Sequence, residues 1–389
     1  MQTLRIMGTS VTLREEIRLQ AEADLGCRIE YQICDLEIAQ RRALLEPHSF
    51  DLYDQWFHDL DFVWPVNTLQ PIEVNRLNAW GSVSSLARTG TVDNPRREAT
   101  GILPADKLYV QPDRRLGSTP TDAISMVPLT HNAESFVYDL SRLPPGCSGQ
   151  PESWAWLVDP LWSGHIGLQS DASIGGMDIR LALESAGLVT YQDISNLTLG
   201  EIDATYAVLA TLKADRRFGG FWSDDYEGGK LVKDPSIHIQ TLWASSNHDL
   251  LESGRPFKVA CPREGYRGWF GGIGMSHATA GPTKDLAYDY LNWWLDGWPG
   301  AFMAREGFYT FGDSGVKRHL SPQEWAYWYE GHAASCDLLD SQGRTVAKKG
   351  SHRPGGSYAD RMGNIAVWAC IMDEHNYFVR KWEDFLNLK

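Results

Sequence analysis

Three short apolar runs separated by two helical stretches open the chain, and that order constrains the fold more than any other feature. Leu4-Arg5-Ile6-Met7-Gly8 alternates as a first strand. Thr12 to Leu25 reads as an amphipathic helix, closed by Gly26, a residue that accepts the left-handed conformation a helix end needs. Arg28 to Ile33 alternates as a second strand, residues 36–46 form a second helix stopped at Pro47, and Phe50-Asp51-Leu52-Tyr53-Asp54 is a third strand. A β-α-β-α-β order predicts a parallel sheet with right-handed crossovers, hence an α/β fold.

With 389 residues there is chain enough for two domains of ordinary size. Residues 64–127, rich in Pro and Gly, read as an extended excursion with short helices, one of them near Asn78–Ala87. Further strands are expected at Ile124–Pro128, Phe136–Tyr138, Ile166–Gln169 and Ile237–Trp243. Ser153 is placed to cap a helix over Trp154–Val158, and Ser170-Asp171 to open one running to about Ala186. Thr198 and Glu201 have capping-box spacing ahead of a helix over 198–213. Helices are also expected over 283–296, 321–330 and 363–387.

The stretch Val259 to Gly281 reads as a strand ending at Cys261-Pro262, then an aromatic turn carrying Trp269 and Phe270 beside Gly271, Gly272 and Gly274, then a helix. Glycines that dense let the backbone approach a ligand or another strand. Such a turn would wall a binding cleft at the C-terminal ends of strands, where open α/β sheets take their ligands.

Charge and motifs exclude several classes. A net charge of −14 with no Lys/Arg-rich run argues against nucleic acid as a partner. The six cysteines form no C-x-x-C, and no His stands at zinc-finger spacing, so no metal or other cofactor is expected; disulfides and buried thiols both remain open. There is no G-x-S-x-G, H-E-x-x-H, P-loop or complete G-x-G-x-x-G, so an enzyme is not the first reading. Sixteen tryptophans suit either stacking on a ligand or a rich core.

The ordered pieces LRIMG, FDLYD, SMVPLTHNAESFVYD, SWAWLVDPLWSGHIGLQSD, IQTLWASSN and CPREGYRGWFGGIGM span nearly the whole chain. Together they resemble the periplasmic solute-binding proteins of ABC importers, most of all the branch with the spermidine/putrescine binders. The resemblance implies a type II periplasmic-binding-protein-like fold: two α/β lobes, residues 1–126 plus 262–305 and residues 127–261 plus 306–389, with a ligand cleft between them. The lobes would be joined by hinge strands near Ser125–Pro128 and Ala260–Pro262. It also implies a small-molecule ligand, a membrane permease as partner, a monomer, and a periplasmic location, with the signal peptide absent from this sequence.

Carried onto matching positions, the resemblance and the strand ends give the expected ligand-binding residues. They are Thr9, Ser10, Gln55 and Trp56 on the first lobe, and Thr130, His131, Asn132, Asp171, Ser173, Trp243 and Ser245 on the second, with Trp269 and Phe270 as stacking faces. For His131 the competing reading is a structural hydrogen bond, for Asp171 capping alone, and for Trp56 a core aromatic. Polyamine binders carry a carboxylate in the aromatic turn, where this chain has Gly271, and another after IQTLW, where it has Ser245, Ser246 and Asn247. Too few acids remain (Asp54, Asp171 and Glu134) for several buried ammonium groups. The expected ligand is therefore a small polar organic solute, a carboxylate, zwitterion or amine. Polyamine binding is the first alternative. Ferric-ion binding through Tyr327 and Tyr329, and glycoside chemistry at Asp224-Asp225, are the others. Arg267 is a candidate anion partner, with a solvated state as the competing reading.

Overall fold

The computed structural model describes residues 1–34 and 36–388, without the side chain of Asp313. The chain divides into two compact units. The first is Met1–Asp93, Leu103–Asn132 and Trp269–Trp325, and the second is Asn94–Ile102, Ala133–Gly268 and Ala326–Lys389. Relative to the sequence-based division, 127–132 and 306–325 fall in the first unit, and 94–102 and 262–268 in the second. Strand pairing explains the difference. Thr130 and His131 pair with Thr310 and Tyr309, which keeps both segments in the first unit. Thr100 bridges Val367, and Tyr266–Gly268 pair with Ile365–Trp368, which places those segments in the second.

In the first unit the opening strands are parallel as expected. Thr3–Gly8 pairs with both Arg28–Ile33 and Leu52–Trp56, and Gly8 lies opposite Ile33 and Asp54. Helix Glu15–Leu25 buries Ile17 and Ala21, one helical turn apart, and ends on Gly26 at φ 63°, whose N–H donates to the Glu22 carbonyl. Helix Gly281–Asp296 buries Leu286, Ala287, Tyr290, Leu291, Trp294 and Leu295, a stripe at helical spacing. The Pro/Gly-rich excursion contains a small antiparallel sheet of four two-residue strands, between Ile72 and Ile124. The helix expected near Asn78–Ala87 is a 3-10 turn, Trp80–Ser82, and a separate short helix, Ser85–Thr89, because Val83 between them is extended.

The second unit holds a five-stranded sheet in the order Phe218–Trp222, Ile166–Gln169, Ile239–Thr241, Phe136–Asp139, Phe257–Val259; the first three are parallel, and Phe136–Asp139 runs antiparallel to both of its neighbours. Its core is aromatic, with Phe136, Tyr138, Trp154, Trp156 and Trp162 all buried. Thr198 and Glu201 form the expected capping box at helix Leu199–Ala214. Two of the sequence motifs interlock here. Ser153 donates through Oγ to the Glu264 carboxylate at 2.5 Å, the Trp154 backbone N–H donates to the same group at 3.2 Å, and Trp154 Nε1 donates to the Gly265 carbonyl at 2.8 Å. SWAW and PREG thus hold each other, and their side chains serve the scaffold.

Two expectations are corrected. The aromatic turn at Trp269–Gly274 is the middle of one eleven-residue strand, Tyr266–Ser276, buried at every position. Its glycines make room for neighbours: a Cβ at Gly272 would stand 2.5 Å from the Phe57 ring and 2.6 Å from the Val127 carbonyl oxygen, and one at Gly274 2.7 Å from Leu69. The terminal helix expected over 363–387 is a strand, Ile365–Trp368, and a helix, His375–Asn387, that buries Phe378, Trp382 and Phe385. The apolar run AVWAC lacks helical periodicity because it pairs with Tyr266–Gly268.

Candidate functional site

In the first unit the parallel strands Thr3–Gly8 and Leu52–Trp56 end side by side, and a polar cluster forms there. A Cβ at Gly8 would lie 2.8 Å from the Asp54 Cβ, so only glycine allows the approach. Asp54 is 3% exposed, and Thr12, whose hydroxyl bears on that carboxyl, is 2% exposed. Burial pushes the Asp54 carboxyl up to about 7, with Thr12 opposing the shift. The hydroxyls of Tyr31 and Tyr290 meet at 3.3 Å, and burial drives both phenols far above their ordinary range, with Asp54 adding to it. A carboxyl titrating near neutrality at a strand end can donate as well as accept a proton.

Gln55 is 1% exposed, its Nε2 is unpartnered, and its Oε1 accepts only a long 3.4 Å bond from the Trp56 backbone. Trp56 is half-buried and meets Trp269 edge-to-face at 4.8 Å; Trp269 in turn meets Phe308 at 5.6 Å. The first unit therefore brings Gln55, Trp56 and Trp269 together. Thr9 is half-buried and Ser10 exposed, in the turn that follows the first strand; the Thr9 carbonyl accepts from Leu13 N–H. Phe270 packs between Phe57 and Phe311 in the core. Thr130, His131 and Asn132 are buried within a strand. His131 stacks on Phe311 at 3.9 Å, and burial lowers its pKa to about 3, so it is neutral at physiological pH. Asn132 Nδ2 donates to the Gly307 carbonyl at 3.2 Å.

In the second unit, Asp171 holds the turn ahead of helix Gly175–Ser185, whose N-terminus has no side-chain cap. Its Oδ1 accepts from the Ser173 N–H, the Ser173 hydroxyl and the Ile174 N–H, at 2.6–2.8 Å. The helix itself starts later than expected, at Gly175. Trp243 is half-buried and meets Trp222 edge-to-face at 5.4 Å, and Ser245 donates to Asp225 at 2.8 Å. Arg267 is not solvated. It is 1% exposed and donates through Nε to Asp178 Oδ1 at 2.6 Å, which removes it as an anion partner. Residues beyond the expected set belong to these clusters, among them Thr12, Tyr31, Asp54, Tyr290 and Trp222. The signal for Asp54 was present, a carboxylate at the end of an otherwise apolar strand.

No disulfide joins any of the six cysteines among the described residues; Cys370 is buried and Cys336 exposed. Among the described residues no three or more His, Cys, Asp or Glu side chains are grouped to hold a metal ion. Tyr327 and Tyr329 are each 6% exposed. No helix among the described residues is long and apolar enough to cross a membrane.

No protein-family model and no curated protein matches the chain in sequence. In fold it is similar end to end to several solved proteins. One is a putative spermidine/putrescine ABC transporter protein from Listeria monocytogenes, with a TM-score of 0.69 at 14% identity over 100% of both chains. Another is the spermidine/putrescine ABC transporter substrate-binding protein PotD from Streptococcus pneumoniae, with a TM-score of 0.62 at 13% identity over 99% of this chain and 98% of that one. A third is the periplasmic binding protein MotA from A. tumefaciens B6, solved with glucopine, with a TM-score of 0.58 at 13% identity over 99% of both chains. The fold is thus that of the solute-binding proteins the sequence motifs resemble.

Proposed function

We propose that the chain is the substrate-binding receptor of an ABC importer, taking up a small polar organic solute outside the cytoplasmic membrane and delivering it to a membrane permease. One observation carries this reading: the likeness in fold to transporter binding proteins runs over the full length of both chains. The strand-end cluster supplies suitable chemistry. Gln55 offers a buried amide N–H with no internal partner, Asp54 a carboxyl poised near neutrality, and Trp56 and Trp269 apolar ring surface. An unpartnered buried donor costs about 1–3 kcal/mol, a debt that a bound solute cancels.

The same residues favour a neutral or zwitterionic solute. Several ammonium groups need several carboxylates, whereas Asp171 Oδ1 is taken up by the turn at Ser173 and Ile174 and Asp225 accepts the Ser245 hydroxyl. Polyamine binding remains the second reading, favoured by the names of two fold neighbours. The test is thermal-shift screening of the purified protein against polyamines, amino acids, opines, organic acids and sugars. A ligand of the native state adds about 2.7 kcal/mol at a hundredfold excess over its Kd. The expected result is a shift with a neutral or zwitterionic solute that Trp56→Ala and Gln55→Ala each reduce at least tenfold in affinity. Sub-micromolar spermidine binding overturns the ligand class, and a flat response to the whole set overturns the receptor role.

A further inference from the structure

The second unit contains a cavity of about 310 Å³ to which three separate elements contribute apolar side chains. One is the edge strand of the five-stranded sheet, Phe257–Val259. Phe257 and Val259 share its half-buried face, while Lys258 on the other face is exposed and pairs with Glu152 at 2.6 Å. The second is helix Asn247–Glu252, with Leu250 and Leu251. The third is the hairpin of Leu338–Leu339 with Thr345–Ala347, which supplies Val346. Val137 and Leu250 belong with Leu242 and Val232 to a small apolar cluster of their own, and Phe257 and Val259 pack against it. Satellite clusters are ordinary. A space of this size left between side chains beside one is not, because protein interiors leave few voids larger than a water molecule.

Most polar groups of the lining are already engaged. Ser135 Oγ donates to the Ala260 carbonyl at 2.7 Å, and Ser351 Oγ to the Lys348 carbonyl at 2.6 Å. Arg361 donates to the carbonyls of Pro354 at 2.6 Å and Ala133 at 2.5 Å and lies 5.2 Å over Tyr266, while Arg353 lies 4.6 Å over Trp328. Glu134 also has its partners within the protein, and Lys348 is exposed to water. An ion entering such a space loses its hydration and finds the charges there already matched, so the cavity selects against ions of either sign. Asn247, half-buried at the start of its helix, is different: among the described residues nothing hydrogen-bonds its carboxamide. It offers one donor and one acceptor to a neutral polar group.

We propose that this cavity binds a small neutral molecule, an aryl or branched aliphatic body carrying one hydroxyl or carbonyl group. The body packs among Val137, Phe257, Val259 and Val346, and the polar group meets the Asn247 carboxamide. The cavity shares only Trp243 with the residues expected to bind the transported solute, lies within the second unit, and does not depend on the receptor reading. Apolar walls with a single placed polar group are the ordinary make-up of a small-molecule site.

The experiment is isothermal titration of the full chain with 3-phenylpropan-1-ol and with its two charged analogues, 3-phenylpropionate and 3-phenylpropylamine. The expected result is saturable binding of the alcohol at one site per chain, with each ion at least about tenfold weaker. Asn247→Ala should weaken the alcohol a few-fold, as loss of one hydrogen bond does. Val346→Phe and Leu251→Trp narrow the cavity from two walls, at a half-buried position and one 36% exposed. Each should abolish binding while circular dichroism and the urea midpoint show a folded protein. The proposal is overturned if the alcohol does not bind, if either ion binds as tightly, or if folded Val346→Phe and Leu251→Trp proteins both bind as the parent does. Unchanged affinity in Asn247→Ala overturns the polar contact.

Discussion

Replacing Asp54 by Asn tests whether the strand-end carboxyl is held against its own ionisation. An ordinary Asp titrates near 3.8 and this one at about 7, a difference of about three units, worth about 4 kcal/mol at about 1.4 kcal/mol per unit. The sign follows from proton counts. Between those two values the unfolded chain has lost the proton that the folded chain keeps, so the unfolded state binds fewer protons and stability falls as pH rises. The carboxyl's contribution is greatest below about pH 4, declines through the interval, and levels off above about pH 7. Between about pH 5 and about pH 8 the loss from this one group comes to about 2.6 kcal/mol. Asn cannot ionise, so that loss disappears in the variant. Urea unfolding of ligand-free parent and Asp54→Asn proteins at the two pH values gives the difference directly, because all other titrating groups cancel. The parent-minus-variant stability should drop by about 2–3 kcal/mol from the lower to the higher pH. A difference that stays constant with pH would refute the assignment of a raised, buried carboxyl.

Two further substitutions probe the scaffold. Arg267→Met leaves Asp178 buried and unpaired and should cost about 3–5 kcal/mol in urea unfolding, whereas the double variant with Asp178→Leu should recover much of that loss, since the whole pair is then gone; equal losses in single and double variants would contradict this. Gly272→Ala drives a methyl into the Phe57 ring and the Val127 carbonyl and should cost about 1–3 kcal/mol, while Gly26→Asn at the helix end should be nearly silent, both read as midpoints of denaturant unfolding.

Local chemistry was the legible part of the sequence. Gly26 at a helix end, the Thr198/Glu201 box and the opening β-α-β-α-β order all rest on interactions between near neighbours, and each is present. What the sequence hid depends on distant partners. Trp269 to Gly274 has the composition of a turn, and becomes a strand because Leu52–Trp56 lies along it. Arg267 has no local sign of its ion pair, since Asp178 stands far away in the chain. The strand Ile365–Trp368 exists only through its pairing with Tyr266–Gly268, a partner distant in sequence. In the candidate site Trp56 meets Trp269 edge-to-face, and burial governs the remaining residues. His131 and Phe270 stack into the core, and Asp171 spends its oxygen on backbone amides, none of which a residue type discloses.

The glycine-bearing strand Tyr266–Ser276 also carries a kinetic consequence. Four glycines give this segment a large chain entropy to lose and little side chain to hold it in place before its neighbours exist. Its shelves, Phe57, Leu69 and Val127, come from segments far apart in sequence, so the strand gains nothing until those are assembled. It should therefore enter late, after the transition state. Trimming one buried methyl from it, as in Ile273→Val, should speed unfolding and leave the refolding rate almost untouched.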